Sequence, residues 1–399
     1  MVYVHVPFCG SFCTYCGFYS ETVASFPGSM DLFCAAIEKE ASSRKPEIIA
    51  SVSPDTLYIG GGTPSVLSPF HLSRIRDAVD AARGCSFAAG GRGFSVEGPS
   101  FAAGDILPYE EFTVEVNPED IVEKGPAYVH ALLELGVNRI SMGVQSLDDG
   151  VLKWMNRRHD AQGARKAYRI LREAGVRNVS VDLISGISFL DDDVWRSILL
   201  EVTSGLGTGI PPEHISAYQL SIDPESILSS YVASGRYVEA SEDQCEKQYR
   251  MLCGILADAG YRHYEISNFA LPGNEARHNS GYWRHVPYVG LGPAAHSFSL
   301  KDRVRRWNSP SLRDYLAAAS DELFPGGSEI LSEEQMALET VMLALRTDAG
   351  IDESYLRRHS SPGEVDKALE AGLLCRVPSG LRIPEEHFFI SDSIIAALV

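Results

Sequence analysis

Six stretches of this chain read as β-strands, and segments of helical length separate them. The strands fall at residues 3–6, 56–59, 112–116, 139–144, 179–184 and 215–220. Residues 30–43, 69–82, 127–135, 160–174 and 193–204 carry helical patterns long enough to cross over between parallel strands. Strands buried on both faces of a parallel sheet ordinarily read as continuous apolar runs. These alternate instead. Phe112, Val114 and Val116 interleave with Thr113, Glu115 and Asn117; Ile140, Met142 and Val144 with Ser141, Gly143 and Gln145; Val179, Val181 and Leu183 with Ser180 and Asp182. If the apolar set faces the covering helices, the polar set lines an interior. A closed eight-stranded barrel fills its interior with branched side chains, so a polar lining predicts an incomplete, wider parallel (β/α)6 barrel around a polar ligand. An antiparallel sheet with one wet face is the alternative reading of the same period.

With 399 residues, 45% of them hydrophobic, the chain can bury one large core or two. The pattern divides it into a barrel core at 1–207, a completing region at 208–310 and a small, mainly helical unit at 311–399. Residues 84–104 repeat Ser-Phe-Ala-Ala-Gly in a glycine-rich context and read as a loop insertion. Acidic residues outnumber basic ones 53 to 35, a net charge of −18, which repels a phosphate backbone and excludes nucleic acid as an expected partner. No apolar run approaches the ~20 residues that span a bilayer, and the first residues carry no basic, apolar leader. The expectation is a cytoplasmic protein without a transmembrane segment, its eight cysteines reduced and available for metal.

Cys9, Cys13 and Cys16 form C-x3-C-x2-C directly after the first strand. With cysteine at about 2% of positions, that spacing arises by accident in roughly three chains per thousand. Tetrahedral zinc wants four ligands, usually as two separated pairs. Three thiolates suit a [4Fe-4S] cubane, leaving one iron open to a small molecule. Three reduced cysteines in a plain loop remain the bland alternative. Gly60-Gly61-Gly62-Thr63-Pro64 follows the second strand, where bare backbone can approach a ligand closely.

These motifs resemble those of the radical S-adenosylmethionine (SAM) enzymes. That resemblance implies a [4Fe-4S] cluster on Cys9, Cys13 and Cys16, with the open iron chelated by SAM, and reductive cleavage of SAM to a 5′-deoxyadenosyl radical. Tyr15 sits where the family has an aromatic residue near the adenine. Tyr3-Val4-His5-Val6-Pro7-Phe8-Cys9, Glu115-Val116-Asn117-Pro118, Arg139-Ile140-Ser141-Met142-Gly143-Val144-Gln145-Ser146, Val181-Asp182-Leu183-Ile184 and Tyr264-Glu265-Ile266-Ser267-Asn268-Phe269-Ala270 further resemble the oxygen-independent coproporphyrinogen III oxidase family. The resemblance implies a SAM site of Tyr3, Tyr15, Gly61, Gly62, Thr63, Glu115, Gln145, Arg157 and Asp182. The strand alternation independently turns Glu115, Gln145 and Asp182 inward; a purely structural role for each stays open. No catalytic residue is assigned.

Within that family the chain is similar to the haem chaperone branch (HemW). Oxidases carry a further cysteine two residues after the triplet, where this chain has Phe18, and an arm before the first strand. His278-Asn279-Ser280-Gly281-Tyr282-Trp283 fits the branch's H-N-x-x-Y-W motif, which implies a haem site at His278, Tyr282 and Trp283; an imidazole beside aromatic rings suits a porphyrin. Packing of the barrel's open side is the alternative role for these rings. The expected function is haem delivery to target proteins, with haem as cargo and haem-accepting proteins as partners. Decarboxylation of coproporphyrinogen III propionates is the alternative, and a haem-degrading methyltransferase a third. A reduced flavodoxin or ferredoxin-type protein is the implied electron donor, with Arg303, Arg305 and Arg306 as a basic patch for it or a solvated loop. Cys34, Cys85, Cys245, Cys253 and Cys375 show no ligand spacing.

Overall fold

Among the described residues, nine strands build the central sheet: β1 (Val2–Val6), β2 (Thr56–Gly61), β3 (Glu111–Val116), β4 (Arg139–Gln145), β5 (Val179–Ser185), β6 (His214–Gln219), β7 (Arg262–Glu265), β8 (Asn268–Ala270) and β9 (Val289–Leu291). In the computed structural model, which describes residues 1–25, 28–51, 53–84, 109–318 and 324–399, their order is β9-β1-β2-β3-β4-β5-β6-β8-β7. The first seven in that order run parallel, β8 alone runs against them, and β7, antiparallel to β8, points with the rest again. That removes the antiparallel alternative. The fold is α/β: a parallel barrel-like sheet with a mainly helical C-terminal part. Beyond Gly84, the 84–104 insertion lies outside the described residues.

The crossovers are α1 (Ser29–Ser43), α2 (Pro69–Arg83), α3 (Pro118–Glu134), α4 (Ala161–Glu173) and α5 (Asp192–Thr203). Three of them begin at a side-chain cap. Ser68, Asp160 and Asp191 accept the orphan N–H groups of the first turns of α2, α4 and α5. Helix α3 starts nine residues before the periodic stretch at 127–135, because Gly125 (φ 69°) and Pro126 interrupt the pattern at mid-length.

The apolar half of the alternation packs under these helices. Val4, Val6, Leu57, Ile59, Phe112, Val114, Ile140, Met142, Val144, Val179, Val181 and Leu183 are all fully buried in one core. Register places the polar half side by side: Tyr3 opposite Tyr58, Glu115 opposite Ser141, Gly143 opposite Asp182, Asp182 opposite Ser216. A second apolar cluster, from Val341 to Leu398, belongs to the C-terminal part, where α6 (Glu333–Leu345) runs. Between them, β10 (His296–Ser299), β11 (Val304–Asn308) and β12 (Gly326–Ile330) form a small antiparallel sheet. Among the described residues no helix is long and apolar enough to cross a membrane.

Candidate functional site

The loop after β1 is tied at both ends. Phe8–Cys9 pairs in parallel with Glu21–Thr22, and the Glu21 N–H donates to the Pro7 carbonyl at 2.7 Å. In between, Thr14 docks the loop: its N–H donates to Met155 O (3.0 Å), its hydroxyl to Trp154 O (2.9 Å), and its carbonyl accepts from Leu228 N–H (2.8 Å). Cys9, Cys13 and Cys16 therefore sit on a braced loop, all three unpaired, partly exposed and facing one cavity of about 1470 Å³. Burial holds the Cys9 thiol above its ordinary pKa and raises Cys16 to about 11; the Thr63 hydroxyl, 3.4 Å from Cys9 Sγ, offsets part of this at Cys9. Such thiols stay protonated at neutral pH until a bound cation displaces the protons.

Among the described residues no three His, Cys, Asp or Glu side chains converge on a single-ion site. Three thiols spread around one loop, with the Arg157 guanidinium donating to Cys13 Sγ at 3.4 Å, fit an anionic cluster better than a tetrahedral ion. The glycine turn completes the cradle. A Cβ at Gly62 would lie 2.7 Å from Phe8 O and 3.0 Å from Cys9 Sγ, and one at Gly61 (φ 111°) 2.7 Å from His5 Nδ1. Only glycine lets this turn lie against the cysteine loop. Its N–H groups are not bare: Gly61 donates to Glu115 Oε2 (3.2 Å), Gly62 to Val6 O (2.8 Å) and Thr63 to Phe8 O (2.7 Å). What the turn offers a ligand is close approach and its carbonyls.

Behind the turn the polar strand positions form the cavity floor, where Tyr3, Tyr15, Glu115, Gln145, Arg157 and Asp182 all face the same space. Glu115 accepts from Tyr58 Oη at 2.7 Å; burial raises its pKa to about 7, with the Asp182 charge adding and the Tyr58 bond opposing. Asp182 is raised in the same direction by burial, although Ser141 (3.1 Å) and Ser180 (3.3 Å) donate to it. Arg157 bonds Asn117 Oδ1 (2.7 Å) and Gly143 O (2.8 Å), yet its Nε is buried without a partner. Gln145 adopts φ 65° at a break in the β4–β5 register, a strained backbone for a residue with a side chain. Tyr58, Asn117 and Arg139 also line this floor, and sequence reasoning missed them as site residues. Asn117 and Arg139 were within quoted motifs; Tyr58 carried only the period-two signal.

The H-N-x-x-Y-W segment forms the short helix 277–283, capped by Glu111, whose carboxylate accepts from Arg277 N–H (2.8 Å) and His278 N–H (3.0 Å). His278 is 1% exposed. Its Nδ1 bonds Thr56 Oγ1 and its Nε2 bonds Tyr282 Oη, both at 2.8 Å, and burial lowers its pKa to about 3. Both ring nitrogens are thus engaged. Tyr282 lines the large cavity and also a smaller one of about 480 Å³, which Trp283 lines with Tyr249, Phe388 and Phe389. Arg303, Arg305 and Arg306 each face glutamates: Glu333 at 3.1 Å, Glu339 at 2.6 Å and Glu47 at 3.2 Å respectively. The basic patch is neutralised.

Residues 3–200 match the Radical SAM superfamily. A "Heme chaperone HemW" of Lactococcus lactis is 31% identical over 88% of this chain and 82% of its own length. One of Mycobacterium tuberculosis is 31% identical over 100% of this chain and 94% of the relative. The solved structure of Escherichia coli coproporphyrinogen III oxidase (HemN), described as a radical SAM enzyme, superposes with a TM-score of 0.75 over 99% of this chain and 89% of its own, at 19% identity. That last likeness establishes the fold. Identity at this level over nearly the whole length establishes the rest: the chain belongs to the HemW family of the radical SAM superfamily.

Proposed function

We propose that this protein is a haem chaperone that carries a [4Fe-4S] cluster and SAM at the floor of its large cavity. The observation that carries the reading is the meeting of three free thiols and a polar strand lining on that cavity, in a chain whose relatives are named for haem delivery. Cys9, Cys13 and Cys16 would hold the cluster, whose open iron supplies a binding point and one-electron chemistry for SAM. Glu115 and Asp182 place two carboxyl groups where a positively charged ligand gains most from them, since the site is buried. Gln145 and Arg157 would fix orientation, Tyr3 and Tyr15 would bound the nucleoside, and Gly61, Gly62 and Thr63 would let it approach the backbone.

Phe18 is 72% exposed at the cavity rim, in place of the further cysteine of the oxidases, which favours the carrier over the decarboxylase. Haem is then cargo and haem-accepting proteins its partners in the cytoplasm, with a reduced flavodoxin or ferredoxin-type protein serving the cluster. The test is paired: anaerobically reconstituted protein is titrated with haem and separately incubated with coproporphyrinogen III, SAM and reductant. Saturable haem binding with undecarboxylated porphyrinogen is expected. Decarboxylated product formed in step with SAM cleavage would replace this reading with the oxidase.

A further inference from the structure

The large cavity continues past the cysteine loop to a mouth formed by β10, β11 and α6, where His285, Tyr288, His296, Phe298, Arg305 and Met342 line it. Three histidines face the cavity, and they are not equivalent. His5 spends both ring nitrogens, on Tyr3 Oη (3.0 Å) and Tyr19 O (2.8 Å). His285 does likewise, on Thr340 Oγ1 (3.2 Å) and Glu339 Oε2 (3.3 Å), with its ring stacked on Phe298. His296 is exposed, and neither of its ring nitrogens has a hydrogen-bond partner among the described residues.

The backbone presents His296 deliberately. It opens β10, pairs in register with Trp307 of β11, and its ring lies 6.2 Å from the indole at 28°, close to parallel. Gly290 of β9 permits the crossing, because a Cβ there would collide with the His296 carbonyl. A neutral imidazole with a free lone pair, on a paired strand and lining the same cavity as Met342, Tyr288 and Phe298, offers the donor, and the cavity the apolar walls, that an iron porphyrin requires. Partial desolvation on the cavity side and the Arg305 charge both lower the His296 pKa from its ordinary value. Arg305, which lines the same cavity, is already held by Glu329 (3.1 Å) and Glu339 (2.6 Å), so the iron ligand and the flat walls carry the site.

We infer that His296 ligates the iron of a haem seated in the mouth of the large cavity. The inference rests on the haem-chaperone reading and assigns its iron ligand to β10 rather than to the sealed His278. The experiment titrates ferric haem into full-length, cluster-reconstituted wild type, His296→Ala and His278→Ala, following the Soret band and the electron paramagnetic resonance of the iron. His296→Ala is expected to lose the axial-imidazole signature and about tenfold or more in affinity, to keep its cluster iron, and to recover the signature when free imidazole is added. A wild-type ligand field and affinity in His296→Ala, or loss of the signature only in His278→Ala, overturns the assignment. Wild type that binds no haem overturns the chaperone reading beneath it.

Discussion

Two regions of this protein carry chemistry-bearing residues in recognisable spacing, and they are built in opposite ways. The cysteine loop leaves its ligands available: three partly exposed thiols, none in a disulfide and two with raised pKa, face a cavity together with a strained Gln145 and an unpartnered Arg157 Nε. The H-N-x-x-Y-W helix satisfies its ligand completely, with His278 bonded at both nitrogens and 1% exposed. Unmet bonding capacity in a buried setting costs stability unless something binds there, whereas a fully paired imidazole repays its burial on the spot. Motif spacing alone cannot tell the two apart. The partners can.

The contrast breaks first at the cysteines. Replacing Cys9, Cys13 or Cys16 singly by Ala is expected to abolish stably bound iron and sulfide after anaerobic reconstitution, because a three-ligand cluster has none to spare. His278→Ala should retain full iron content in the same assay. Wild-type iron in the triple cysteine variant would show that this loop is as closed as the helix.

The second expectation concerns folding energy. His278→Ala strands the Thr56 hydroxyl and the Tyr282 phenol and leaves a void beneath Tyr58, whose ring centroid lies 5.1 Å from the imidazole. A loss of about 3 kcal/mol in urea unfolding follows from those unpaired groups and the cavity. His296→Ala, cut from an exposed ring, should cost under about 0.5 kcal/mol. Equal stabilities for wild type and His278→Ala would mean that the imidazole is loosely held.

How much of this could be read beforehand follows the same division. The barrel was legible because its signal is local: Phe112 to Val116 and Val179 to Leu183 alternate within one strand, and the side-chain period of two fixes the facing set. The cysteine triplet was legible because its ligands sit within eight residues of one another. Strand β9 escaped, since Val289–Leu291 is three residues inside a glycine-rich run and becomes a strand only by pairing with β1. The first half of α3 was hidden behind Gly125 and Pro126, although Asn117 and Pro118 mark its start. Contacts across hundreds of residues left no trace in sequence. Glu40 accepts from Gly292 N–H (2.9 Å), Asn308 (2.8 Å) and Tyr315 Oη (2.7 Å), tying α1 to the residue after β9, to the end of β11 and to the segment beyond it, and the state of His278 hangs on Thr56, 222 positions away.

The smallest effect sharpens the contrast at the open site itself. Glu115 has a pKa near 7 in the folded protein against an ordinary 4.5, so between those values the folded chain holds a proton that the unfolded chain has lost. Its favourable contribution is complete below pH 4.5 and is lost as pH rises through 7. Glu265, also near 7, follows the same course, so the Glu115 share is isolated by subtracting the profile of Glu115→Gln. That variant should gain on wild type as pH climbs from 5 to 8. A cationic ligand beside Glu115 favours the carboxylate, so SAM binding near pH 6 should release a fraction of a proton, read by calorimetry in buffers of different ionisation heat. In Glu115→Gln that release should shrink. Identical proton release by both proteins would remove Glu115 from contact with the ligand's charge and leave it, like His278, a group whose bonds are all internal.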